Sequence, residues 1–211
     1  MNNLWEYENE LFNKGIKIVG GTDEAGRGPL YGPVVASCVV LNKGFNLEGL
    51  TDSKKLTEKK RDKYYEYIME NAIVGVSIIS NTEIDKINIY EASRKAMMEA
   101  IKEVREKIDL EYVLTDAMPL PDLDIPHLPI IKGDAKSISI AAASVIAKVT
   151  RDRMMYDLDK KYPLYGFGKH KGYPTKKHIE NIYKYGLIDG YRLSYGPVQE
   201  YIRKRSATSG K

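Results

Sequence analysis

The sequence has one cysteine, Cys38, among 211 residues, which excludes an internal disulfide and the usual cysteine-built zinc centre. Its three histidines stand at no spacing that suits a metal site. Long apolar runs are also missing. The longest, Val34 to Leu41 and Ile138 to Ala147, fall far short of the roughly 20 residues that a membrane helix needs. The opening Met1-Asn2-Asn3-Leu4-Trp5-Glu6 has neither the basic nor the apolar part of a secretory leader. These absences predict a soluble, cytoplasmic chain with no membrane partner.

What is present is ordinary in total and uneven in distribution. At 43% apolar and 29% charged residues, the composition is globular, and the length suffices to bury a core without staples. The 33 basic and 29 acidic side chains give a net charge of +4. Residues 148–211 hold 15 basic and 6 acidic residues, a surplus of +9, whereas residues 1–147 carry −5. The same stretch has nine of the sixteen tyrosines. Cations interleaved with aromatic rings suit a polyanion whose sugars or bases can be stacked upon. By composition alone, a solvated helical surface over packed tyrosines fits somewhat better.

The hydrophobic periodicity predicts alternating elements. Residues 3–14 have helical spacing, with Gly15 as the stop. Ile16 to Asp23 has strand character and is followed by the turn-rich Gly26-Arg27-Gly28-Pro29-Leu30-Tyr31-Gly32-Pro33. The β-branched run Val34 to Leu41 is its expected hairpin partner. A helix over Thr57 to Asn71, with Thr57 as N-cap, precedes a strand over Ala72 to Ser80. Ile87, Tyr90, Met97, Ile101, Val104 and Ile108 then mark one face of a long helix. Glu111 to Asp116 and Leu128 to Lys132 are short strands. Strand–helix alternation in this half implies a parallel portion, so the sheet is mixed and the class is α/β. Ser137 to Lys161 is a helix apolar on nearly every side in its first half, with Ser137, Ser144, Lys148 and Arg151 as one polar stripe. Residues 163–211 form a basic, tyrosine-rich helical appendage to a domain spanning residues 1–162, and Ser206 to Lys211 are expected to be unstructured.

Acidic residues at strand ends carry the chemistry. Asp23 closes the first strand and Asp116 a later one, and a carboxylate that continues an apolar face is costly to bury unless paired or bound to a cation. Glu24 follows Asp23 and shares its site only if the chain turns there, which the next glycines permit. Asp134 precedes the Ser137 helix and by itself is best taken as a capping residue. Together the four would form an all-oxygen set that selects hard cations such as Mg²⁺ or Mn²⁺. Two divalent ions would balance their charge, in the arrangement used for in-line phosphodiester displacement.

The segment Gly21-Thr22-Asp23-Glu24-Ala25-Gly26-Arg27-Gly28-Pro29-Leu30-Tyr31-Gly32-Pro33-Val34-Val35-Ala36 closely resembles the opening motif of type 2 ribonucleases H, specifically the ribonuclease HII family. The likeness continues through Asp52-Ser53-Lys54-Lys55-Leu56, Lys132-Gly133-Asp134, Ala142 to Asp152, and Gly168-Lys169-His170-Lys171-Gly172-Tyr173-Pro174-Thr175. One departure is Ala117 after Asp116, where the family often has glycine. The resemblance implies a ribonuclease H-like fold with a five-stranded sheet. It also implies cleavage of RNA in RNA–DNA hybrids and at single ribonucleotides in duplex DNA, leaving 3′-hydroxyl and 5′-phosphate ends. It maps the metal-binding acids onto Asp23, Glu24, Asp116 and Asp134. Gly26, Arg27 and Gly28 resemble the loop that meets the 2′-hydroxyl, and Tyr173 the ring that stacks on the adjacent deoxyribose. Without the motif, these glycines are turn residues and Tyr173 a core aromatic. Lys54, Ser144, Lys148 and Arg151 are candidate phosphate or cleft contacts, although Lys148 and Arg151 equally suit solvated helix charges. His170 is the histidine placed best to approach substrate, or else a surface loop residue. The alternatives are a ribonuclease HIII-like nuclease, which carries an extra N-terminal domain for which the 22 residues before Asp23 are too few, and a non-catalytic hybrid-binding relative. Gln199-Glu200-Tyr201-Ile202-Arg203 does not fit a sliding-clamp peptide, and a monomer is expected.

Overall fold

The computed structural model describes residues 4–47, 49–50, 53 and 56–209. Strand β1 (Val19–Ala25) pairs antiparallel with β2 (Val34–Leu41), which pairs antiparallel with β3 (Ala72–Ile79). On its other side β1 runs parallel to β4 (Tyr112–Asp116), and β4 runs parallel to β5 (His127–Ile130). The order β3-β2-β1-β4-β5 is the mixed five-stranded sheet that the alternating pattern predicts. Every residue of β2 is buried, because this Val-rich strand is central and covered on both faces.

The two covering layers follow from the period of two along a strand. Val34, Ala36, Cys38 and Val40 face α3 (Asn81–Arg105), where Ala96, Met97, Ala100 and Val104 complete one core. Val39 and Leu41 face α4 (Ile138–Lys161) and α2 (Glu58–Asn71), where Ala142, Val145 and Ile68 complete the other. Ser37 turns the same way, and its hydroxyl donates to the Ala143 carbonyl at 2.7 Å. Gly21 makes the approach of α4 possible: a Cβ there would collide with the backbone of Ser139 and Ile140.

Caps mark the starts of the helices. Thr57 accepts from the Lys60 amide and Ser137 from the Ile140 amide, each satisfying one otherwise unpaired donor. The α4 start is held further by α1 (Glu6–Asn13). Buried Glu8 accepts from the Ser137 hydroxyl at 2.5 Å and the Ser139 amide at 3.1 Å, and also from the Ser139 hydroxyl.

Two expectations change. The long helix is broken at Asn88, whose φ is 68°. The Asn88 side chain accepts from the amides of Tyr90 and Glu91, so a new capped segment starts there, and Tyr90 points outward at 42% exposure rather than joining the apolar face. At the far end, α7 (Gly196–Ser209) continues past Ser206, where the sequence suggests disorder.

After α4 come α5 (Phe167–His170) and α6 (Lys176–Tyr185), and with α7 they gather around Phe167, Tyr165 and Tyr191. Leu30 and Tyr31, from the β1–β2 connection, belong to the same cluster. Backbone bonds from Leu30 to Gly172 and from Gly32 to Gly190 tie that connection to the C-terminal region. Among the described residues, no helix is long and apolar enough to cross a membrane.

Candidate active site

Because β1 and β4 run parallel, their C-terminal ends open on one edge of the sheet, which places Asp23 beside Asp116. Asp134 arrives from the 3-10 turn Gly133–Ala135 between β5 and α4. The Gly133 amide donates to Asp116 Oδ1 at 2.7 Å, so the turn bearing one acid orients another. One carboxylate oxygen each from Asp23, Asp116 and Asp134 lies within 4.8 Å of the others. Asp23 and Asp134 are buried, and Asp116 is half-buried.

The electrostatics at Asp23 and Glu24 are unfavourable to ionised acids. Burial holds the Asp23 carboxyl well above the usual carboxylate range, and the charges of Glu24 and Asp116 push it the same way. The Glu24 amide, at 2.7 Å from Asp23 Oδ1, and a bond from Ser144 pull in the other direction. Burial also raises Glu24, against the pull of Arg27, which pairs with its Oε1 at 3.2 Å. Glu24 Oε2 is buried with no hydrogen-bond partner among the described residues. An unmet buried acceptor costs on the order of 1–3 kcal/mol. Three convergent oxygens, an unpartnered oxygen on Glu24 and an absence of sulfur or nitrogen donors among them fit a hard divalent cation.

Asp23, Glu24 and Asp116 line a cavity of about 300 Å³ whose walls also include Arg27, Gly28, Ser144, Lys148 and Tyr173. Gly26 has φ +99°, and a Cβ there would strike the Arg151 guanidinium, so the position requires glycine twice over. A Cβ on Gly28 would press within 3.3 Å of the Tyr173 ring. The ring itself is 42% exposed at the cavity rim. Lys148 is on the wall, paired with Asp152 at 2.7 Å, and Ser144 shares a 2.7 Å hydroxyl bond with Ser53. Ala117, which departs from the family pattern, sits at φ 54°, a conformation glycine adopts freely and alanine does not. Lys54 lies outside the described residues.

Two candidate contacts are not part of the cavity lining. Arg151 is 1% exposed, and its guanidinium donates to the carbonyls of Pro33, Lys171 and Tyr31 at 2.9–3.0 Å. Those three carbonyls engage each of its three nitrogens once, so it props the loop from beneath. Burial, then the charge of Arg192, pushes its pKa down to about 10. His170 is likewise committed: Nδ1 accepts from the Gly172 amide at 3.1 Å and Nε2 meets the Tyr165 carbonyl at 2.8 Å. Its ring stacks on His178 with centroids 4.1 Å apart, which holds the turn before Tyr173 rather than the cavity. Sequence reasoning missed Arg192, which is fully buried beneath the loop. Its sequence neighbours give no sign of this, since arginine is almost never fully buried.

Carboxylates gathered at the ends of neighbouring parallel strands, on a mixed sheet covered by helices on both faces, define a ribonuclease H-like hydrolase. The sequence model of ribonuclease HII matches residues 20–196. The chain is 54% identical over 200 residues to ribonuclease HII of Bacillus subtilis (strain 168) and 53% to that of Bacillus mycoides (strain KBAB4), in each case over 94% of this chain and 77% of the relative. Ribonuclease H2 from Pyrococcus horikoshii OT3 superimposes with a TM-score of 0.74 at 27% identity, over 89% of this chain and 98% of that one. The chain belongs to the ribonuclease HII family, and it is an enzyme, a ribonuclease H.

Proposed function

We propose that this enzyme hydrolyses the RNA strand of RNA–DNA hybrids and also cuts on the 5′ side of single ribonucleotides embedded in duplex DNA, leaving 3′-hydroxyl and 5′-phosphate ends. The observation that supports this most directly is the shared cavity: Asp23 and Asp116 of the acid trio, the Gly26–Gly28 loop and the Tyr173 ring all line it. Asp23, Glu24, Asp116 and Asp134 would hold two Mg²⁺ or Mn²⁺ ions. When bound, these would supply an activated water and charge stabilisation of the leaving 3′ oxygen.

The chain's own residues do the positioning. Gly133 fixes the Asp116 carboxylate, and Ser144 and the Glu24 amide fix that of Asp23. Gly26 lets the loop close over Arg151, and without a Cβ at Gly28 the backbone beside Tyr173 can approach a sugar closely enough to bond its 2′-hydroxyl. The flat face of Tyr173 would lie against a following deoxyribose and crowd a ribose. Lys148 lends positive charge to the cavity wall, and residues 163–211 supply a basic track for backbone phosphates.

A nicking assay tests the reading. It compares a long hybrid, a duplex with one ribonucleotide and an all-DNA duplex, with Mg²⁺, with Mn²⁺ and with chelator. Cleavage of the first two substrates alone, abolished by chelator, is expected. Binding of the hybrid without nicking in either metal would instead identify a non-catalytic relative.

A further inference from the structure

The carbonyls of the Gly26–Gly28 loop are anchored from below by two side chains of the C-terminal region. Arg192 donates to the Gly26 carbonyl at 2.6 Å and to the Arg27 carbonyl at 3.0 Å. It donates also to the Gly32 and Pro33 carbonyls, at 2.9 and 3.0 Å. Tyr195 adds a second donor to the Arg27 carbonyl at 2.7 Å, while its own oxygen accepts from Arg192 at 2.8 Å. The Arg27 carbonyl oxygen is therefore saturated from the side away from the cavity.

A trans peptide unit is planar, so its carbonyl and its amide point in opposite directions. Drawing the Gly26 carbonyl down to Arg192 turns the Arg27 amide up. Drawing the Arg27 carbonyl down turns the Gly28 amide up. Both residues line the cavity of the acid trio, and neither amide donates to a backbone acceptor among the described residues. The anchor is also charged. Among the described residues no carboxylate lies within ion-pair distance of Arg192; its donors go to carbonyls and to the Tyr195 hydroxyl oxygen, and Asp85 acts on its charge only from farther away. Hydrogen bonds in series polarise one another in a buried setting, so a cation on the carbonyl side strengthens the amides as donors on the cavity side.

We propose that Arg192 and Tyr195 are positioning residues that aim the Arg27 and Gly28 amides at a substrate oxygen and thereby set the preference for ribose over deoxyribose. This rests on the reading that the loop meets the 2′-hydroxyl. Arg192 touches no substrate in this scheme and acts through the backbone.

The test uses Tyr195→Phe, which removes one hydroxyl from a half-buried position and spares Arg192. We expect kcat/KM on the single-ribonucleotide duplex to fall about three- to tenfold, the scale of one lost hydrogen bond. Binding of all-DNA duplex and of Mn²⁺ to the protein, read by calorimetry, should stay unchanged. The ¹⁵N relaxation of the Arg27 and Gly28 amides should report a more mobile loop. Arg192→Lys, where circular dichroism and melting show it folded, should lose more selectivity than Tyr195→Phe. Wild-type selectivity and loop relaxation in Tyr195→Phe would overturn the proposal, as would an equal loss on all substrates accompanied by weaker Mn²⁺ binding. If the wild-type enzyme itself does not distinguish ribose, the reading of the loop fails, and unchanged loop relaxation in both variants would independently remove the anchoring role.

Discussion

At the scale of single residues, the acid cluster sets stability against chemistry. Asp23 is buried, its charge is opposed by Glu24 and Asp116, and its carboxyl is held well above the usual range. Asp23→Asn keeps the shape and removes the repelled charge. Without metal, the variant should therefore melt no lower than wild type and gain up to about 1–3 kcal/mol, while cleavage falls by at least ~10²–10³-fold. Asp116→Asn and Asp134→Asn should lose activity similarly. Calorimetry of metal-free protein together with single-turnover kinetics checks both halves, and a folded variant with near-normal turnover would remove its residue from the site. Ala117 is a second case. Its φ of 54° strains any residue with a Cβ, so Ala117→Gly should stabilise the protein by about 1 kcal/mol in denaturant melts. A loss of stability would mean that the alanine methyl makes packing contacts worth more than the strain.

The same scale shows why parts of the site are legible in sequence and parts are not. Asp116 ends β4 and Asp23 stands two residues before the end of β1, and an acid continuing an apolar face is visible in one dimension. Arg151 and Arg192 are invisible by the same logic. Their surroundings are carbonyls of Tyr31, Gly32, Pro33 and Gly26, brought together only when the β1–β2 connection meets the C-terminal region. A stripe of Ser144, Lys148 and Arg151 on one helix face does not say which member points to the cavity and which passes beneath the loop. The sequence likewise does not show that the two ring nitrogens of His170 are taken up by backbone groups no more than five residues away.

At the scale of elements, caps and strand periodicity carry over well, and breaks do not. Thr57 caps α2 as its chemistry predicts, whereas the cap of α4 is Ser137 and not Asp134, which joins the acid cluster. Asn88 interrupts an otherwise continuous apolar pattern, since the pattern resumes with a nearly preserved face after the new cap. Helix α6 holds a titratable joint. His178 Nδ1 meets the Tyr173 carbonyl and Nε2 meets the Tyr191 hydroxyl, at 2.8 and 2.9 Å. Burial pushes its pKa down to about 4, against 6.5 when exposed. Between these values the unfolded chain binds the proton and the folded chain does not, so stability rises with pH across this window and is lost as pH falls from about 6.5 towards 4. Removing the group with His178→Asn should flatten that part of the stability–pH curve, a difference of order 1–3 kcal/mol at its ends. Urea melts at pH 7 and pH 4.5 measure it, and an unchanged slope would assign the acid sensitivity elsewhere.

At the scale of the whole molecule, charge separates along the chain more than the fold does. Residues 163–211 carry most of the positive surplus, yet Tyr165, Phe167 and Tyr191 pack on Leu30 and Tyr31 of the β1–β2 connection. Removing this region would uncover that cluster and withdraw Arg192 from the loop, so its electrostatic role is better tested by surface charge. Duplex affinity should fall steeply with salt, about −0.9 in log–log slope for each phosphate neutralised. Replacing the exposed Lys169, Lys176 and Lys177 with glutamine should make that slope shallower by roughly one unit for each phosphate left without its lysine, with melting temperature unchanged. Titrations by fluorescence anisotropy at several salt concentrations decide it, and an unaltered slope would place the phosphate track on other residues.

The close approach at Gly21 has a broader consequence. Most of the core is held by side chains, whose volumes can be traded against one another. At Gly21 there is no side chain to trade, because this residue lets the main chain of β1 rest on that of α4 at Ser139 and Ile140. The spacing between the acid at the end of β1 and the helix that carries Ser144 and Lys148 is therefore gauged by bond lengths and atomic radii. Repacking elsewhere in the two cores can cost stability without altering that gauge, which insulates the geometry of the acids from drift in the sequence around them.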